Sequence, residues 1–70
     1  MKYCILAKTS QGEMYLEDYF FVEKANGYST FVTGYEKRAM LFDNPFSAYD
    51  VIQKLKTSFG DSHFRIAKFY

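Results

Sequence analysis

One stretch of this chain has a single structural reading, and it limits everything else. Asn44 suits a helix N-cap, Pro45 suits the first helical position, and Gly60 suits the far end. Between them Ala48, Val51, Ile52, Leu55 and Phe59 recur at helical spacing, while Asp50, Gln53, Lys54 and Lys56 point elsewhere. One main helix is predicted, and one helix covers only one face of a sheet.

The remainder reads as strands. Lys2 to Lys8 is short and apolar and ends in the turn cluster Thr9-Ser10-Gln11-Gly12. From Met14 to Glu23 the chain alternates. Met14, Leu16, Phe20 and Val22 fall on one side with Asp18 as the exception, and Tyr15, Glu17, Tyr19, Phe21 and Glu23 fall on the other. The aliphatic side is expected to face the core. Lys24-Ala25-Asn26-Gly27 is a predicted hairpin turn in which Asn-Gly tolerates positive φ, and Tyr28 to Thr33 is a third strand. Thr33-Gly34-Tyr35-Glu36 matches a capping box and predicts a short helical turn to about Ala39, with Met40 to Phe42 as an extended stretch or part of the connection. His63 to Tyr70 reads as a last strand with Phe64 and Ile66 inward. The predicted fold class is α+β, a small antiparallel sheet in the order β-β-β-short helix-α-β, as a single domain over residues 1–70. The last strand has two places to go, beside the first strand or at the opposite edge.

Such a short chain must hold itself together by packing. Its one cysteine, Cys4, excludes an internal disulfide, and with one histidine, His63, it lacks the ligands of a structural zinc site, so no cofactor is predicted. No apolar run is long enough to span a bilayer, and Met1-Lys2 leads directly into a strand rather than a secretion signal, which makes the cytoplasm the expected compartment.

The chain holds few candidate catalytic groups. Cys4 and His63 form a nucleophile and base only if the first and last strands are neighbours. Glu17 and Asp18 are consecutive in a strand and point to opposite faces, and Asp61-Ser62-His63 is most economically a turn after Gly60. Phosphate-binding, dinucleotide-binding and calcium-binding motifs are absent. Catalysis is therefore not expected.

Binding is the remaining class. The net charge of +1 lacks the basic surplus of a general nucleic-acid binder. Gly27-Tyr28-Ser29-Thr30-Phe31-Val32 resembles the aromatic strand of an RNA-recognition sheet only superficially, since Tyr28 and Phe31 alternate onto opposite faces. Phe and Tyr together number 15, against ten Val, Ile and Leu, so some aromatics are expected at the surface. With the helix on one side, Tyr15, Glu17, Tyr19, Phe21 and Glu23 are predicted to form an exposed, acidic, aromatic face suited to a basic protein surface. A homodimer, sheet on sheet, would bury the same residues. The alternative is a nucleic-acid-binding module using Lys37, Arg38, Lys54, Lys56, Arg65 and Lys68.

The segment AMLFDNPFSAYDVIQKL, through Ala39, Phe42, Asp43, Asn44, Ala48, Val51, Ile52 and Leu55, resembles a pattern in short proteins of phages and mobile elements. In those a strand hairpin precedes Ala-x-x-Phe-Asp, a helix with Ala, Ile and Leu inward, and one closing strand. The chain departs from the commoner form at Pro45-Phe46, where acidic residues are usual. The resemblance implies an accessory role in a host cytoplasm, as an inhibitor of a host enzyme or defence complex of the anti-CRISPR or anti-restriction kind. It carries over no catalytic residues.

Overall fold

The computed structural model describes residues 1–70 and orders them as β1 (Tyr3–Thr9), β2 (Gly12–Val22), β3 (Gly27–Thr33), a 3-10 turn (Glu36–Arg38), α1 (Pro45–Phe59) and β4 (Phe64–Lys68). The four strands form one antiparallel sheet in the order β3-β2-β1-β4, and α1 packs on one face of it. The chain has a small α+β fold. Of its two possible places, the last strand takes the one beside the first.

The helix is built as its sequence specifies. Asn44 is extended, and its side-chain oxygen accepts a hydrogen bond from the Ser47 amide at 2.9 Å. Pro45 occupies the first turn, and Gly60 ends the helix at φ 87°, a value that a Cβ would strain. Ala48, Val51, Ile52 and Leu55 are buried against Ile5, Ala7, Leu16 and Phe64, with Phe59 and Ile66 packed at the margin.

Both hairpin turns depend on a left-handed residue. In the first it is Gly12 at φ 101°, with the Thr9 hydroxyl accepting from the Gln11 amide at 3.1 Å and donating to the Gly12 carbonyl at 2.6 Å. In the second it is Asn26 at φ 50°, whose amide donates to the Glu23 carbonyl. Gly27 serves a different purpose from the predicted one. A Cβ there would lie 2.8 Å from the Ser58 hydroxyl, which in turn accepts from the Tyr28 amide at 2.8 Å, so the glycine lets β3 approach the end of α1.

The predicted capping box does not form. Thr33 Oγ1 accepts from the amide of Tyr35, two residues on, and the 3-10 turn begins after Tyr35, its N-cap, without a side-chain cap. The hydroxyl takes an amide two residues on, rather than three, and closes a tight turn.

The connection then passes β2 and fills a gap in the sheet. β1 and β2 pair from Thr9↔Gly12 to Leu6↔Tyr15 and then separate. The Met40 amide donates to the Leu16 carbonyl at 2.9 Å, and Tyr3 and Phe42 exchange amide-to-carbonyl bonds of 2.8 and 2.9 Å. At the same end the Lys2 amide donates to the Tyr70 carbonyl at 2.9 Å and the Phe69 amide to the Lys2 carbonyl at 2.7 Å, so the two chain ends lie side by side.

The main departure from the sequence pattern is a β-bulge. Leu16 faces Val32 and Asp18 faces Phe31, which leaves Glu17 unmatched on β3. One extra residue reverses the side-chain alternation beyond it. Leu16 stays in the core, but after the bulge it is Tyr19, not Phe20, that packs against the core, while Phe20 is 42 % exposed.

Candidate interaction surface

Pleating and register assign the side chains of the two faces. Ile5, Ala7, Leu16, Tyr19, Tyr28, Val32, Phe64 and Ile66 share the face toward α1. The other face receives Cys4, Leu6 and Lys8 from β1, Glu13, Tyr15, Asp18 and Phe20 from β2, Phe31 from β3, and Arg65 and Ala67 from β4.

This second face is not uniformly bare. Cys4 is buried, Leu6, Tyr15 and Ala67 are half-buried, and Tyr15 meets Phe69 edge-on at 6.3 Å between ring centroids. Burial raises the Cys4 thiol above its usual range, with Arg65 acting in the opposite sense. The Arg65 guanidinium grips Glu13 with two hydrogen bonds, Nε to Oε2 at 2.6 Å and Nη2 to Oε1 at 2.7 Å. That contact holds the Glu13 carboxyl below the usual carboxylate range and Arg65 above its own. Lys2 and Asp43 form a further ion pair, which raises the lysine and lowers the aspartate.

The exposed aromatic rings of this face lie at the β2–β3 end. Phe20 and Phe31 lie with ring centroids 5.4 Å apart and are 42 % and 57 % exposed. Asp18, directly opposite Phe31, is also exposed, and its carboxylate accepts from the Tyr19 amide at 2.8 Å. Two exposed rings beside a carboxylate combine apolar area with a negative charge, chemistry that complements an apolar, basic surface.

The five residues predicted for partner contact do not share one face. Tyr15 lies away from α1 and is half-buried. Glu17 is the bulge residue, and its Oε2 accepts from Arg38 Nη2 at 2.7 Å. Tyr19 and Phe21 turn to the α1 side, where Tyr28 lies 6.2 and 5.3 Å from them; Tyr19 is half-buried there, while Phe21 stays exposed as predicted, but on the opposite face from Tyr15. Glu23 is exposed in the hairpin turn. The physical reason is the bulge, which divides the strand into two registers. Asp18, the one polar residue in the aliphatic alternation, marks the point of reversal, and it was the available sign of Phe20 and Phe31.

The basic residues are also dispersed. Arg38 and Arg65 are engaged by Glu17 and Glu13. Lys54 and Lys56 sit two apart on α1 and so point about 200° apart. Lys37 belongs to the 3-10 turn, and Lys68 alternates to the opposite face from Arg65.

The Cys4–His63 pair is not assembled although β1 and β4 are neighbours. Cys4 faces Ala67, whereas the His63 carbonyl accepts from the Lys8 amide, a separation of about 13 Å along the strand at the usual rise per residue. His63 stacks on Phe59 at 5.0 Å instead. No three His, Cys, Asp or Glu side chains gather in a metal-binding group, and no helix is long and apolar enough to cross a membrane. Comparison with protein-family models, curated proteins and solved structures found no match to the chain.

Proposed function

We propose that the chain is a non-enzymatic binding protein that docks a partner protein through the Phe20–Phe31 end of its sheet. The observation that carries this reading is the exposed ring pair, 5.4 Å apart and bordered by Asp18, on the face that α1 leaves uncovered. Rings held by neighbouring strands lose little freedom on binding, and the carboxylate favours a partner surface bearing Arg or Lys. The resemblance of Ala39 to Leu55 to phage and mobile-element proteins adds the partner class, a host enzyme or defence complex that the chain inhibits.

The test begins with native mass spectrometry of the tagged chain recovered from its host, followed by recovery of the double variant Phe20→Ala, Phe31→Ala. The wild-type chain should carry a second polypeptide at fixed ratio, and the double variant should lose it while keeping its thermal transition. Retention of that partner by a folded double variant would overturn the assignment.

A further inference from the structure

The two edges of the sheet are protected unequally. β4, at one edge, carries Arg65 and Lys68 among five residues. β3, at the other, reads GYSTFVT, with no charge, no proline and no bulge of its own. Proteins generally guard free edges with such features, because an open row of amides and carbonyls is a template for another strand.

The direction of those backbone groups can be read along β3. The Tyr28 amide points away from β2, since it donates to Ser58. Across the same ladder, the carbonyl of Leu16, opposite Val32, is directed away from β3 to Met40. In an antiparallel ladder alternate residues point the same way, so the amides and carbonyls of Thr30 and Val32 also face outward. None of the turn, loop and side-chain hydrogen bonds uses them.

We infer that this edge pairs with β3 of a second copy, antiparallel, about a two-fold axis at Phe31. The Ser58 cap removes the registers that pair Tyr28 within the strand, and a centre at Val32 would set Thr30 against Gly34, beyond the end of β3. Pairing centred on Thr30 would need the Tyr28 amide, which Ser58 already holds. Pairing centred on Phe31 sets Thr30 against Val32 of the second copy, and the reverse, using only the free groups. It also places the two Phe31 residues directly opposite each other in a non-hydrogen-bonded pair, where side chains approach most closely. Phe31 is 57 % exposed and already lies against Phe20, so the contact extends an existing aromatic pair. The uncharged strand is its own complement, because no like charges meet across the axis. Two four-stranded sheets become one of eight strands, with both Phe20–Phe31 surfaces on it. Its hydrogen bonds come from the edge and not the face, while Phe31 belongs both to this contact and to the proposed partner site; a variant that alters the edge and keeps both rings separates the two.

The experiment is sedimentation equilibrium on the full chain and on Thr30→Pro, which removes an outward amide and leaves both rings in place. The wild type should show a concentration-dependent dimer, and Thr30→Pro should weaken it by at least about tenfold. Register is read by oxidation in a Cys4→Ala background. Phe31→Cys should cross-link between copies, since directly opposed residues have a Cα separation that fits a disulfide, whereas Ser29→Cys should not. A wild-type chain that stays monomeric at its highest soluble concentration would overturn the inference. So would a dimer that Thr30→Pro leaves intact, or Ser29→Cys cross-linking as readily as Phe31→Cys. The cross-linking pair keeps the test decisive if Thr30→Pro does not fold.

Discussion

Arg38 bonds Glu17 at 2.7 Å, and so ties the connection after β3 to the bulge residue of β2, which is skipped in the pairing with β3 between Leu16 and Asp18. The bulge and the connection are therefore linked features. The bulge sets Glu17 apart, the 3-10 turn delivers Arg38 to it, and two residues later Met40 takes the Leu16 carbonyl. Two residues predicted for rival binding sites instead neutralise each other.

Both partners of that pair are partly exposed, so its contribution to stability is modest. A double-mutant cycle on Glu17→Ala and Arg38→Ala, followed by urea unfolding, should give a coupling below about 1 kcal/mol. The coupling should shrink as salt is raised. A larger value, unaffected by salt, would mean that the connection is held by packing rather than by charge.

At Gly27 the expectation is non-additive. Gly27→Ala forces the Ser58 hydroxyl aside and breaks its bond to the Tyr28 amide, a loss of about 1 kcal/mol. Ser58→Ala loses the same bond directly. The double variant should therefore cost clearly less than the sum of the two singles in urea midpoints.

The Glu13–Arg65 contact predicts a pH dependence of definite sign. Because Arg65 lowers the Glu13 carboxyl, the folded state binds this proton less readily than the unfolded chain. The stabilisation is present above the unfolded-state value and is lost as the pH falls through the lower folded-state value. Thermal melts of wild type and Glu13→Gln should differ most near neutral pH and converge in acid. A gap independent of pH would show that the carboxylate charge is not what stabilises this contact.

Leu55 is fully buried where α1 meets the sheet. Leu55→Ala should cost about 2–5 kcal/mol, a large share of the roughly 4–10 kcal/mol typical of a chain this long. Chemical denaturation should show an unfolding midpoint moved far toward zero denaturant. A shift comparable to that of a surface variant would mean that the sheet and helix are packed more loosely than the fold indicates.

Local chemistry was the legible part of this sequence. The Asn44 cap, Pro45, the buried stripe from Ala48 to Leu55 and the inward Phe64 and Ile66 each depend on residues near one another in the chain, and all stand as read. The α+β class follows from them. The face assignment of β2 was not legible in the same way. A bulge is a relation between two strands, and it reversed the roles of Tyr19 and Phe20 that simple alternation assigns. Thr33 shows the same limit at smaller scale. Its spacing to Glu36 matches a cap, yet the hydroxyl accepts from the Tyr35 amide instead. The candidate surface moved for this reason, from the five residues on one predicted face to Phe20, Phe31 and Asp18.

The bonds between Lys2 and both Phe69 and Tyr70 have a practical consequence. A short peptide joining the last residue to the first would close the backbone into a ring and convert the β1–β4 pairing into a simple hairpin. New ends could then be opened between Ser10 and Gln11, both exposed at the tip of the first turn. Such a circular permutant would keep the same sheet order. In the native order, any two polypeptides fused to the ends would emerge as neighbours.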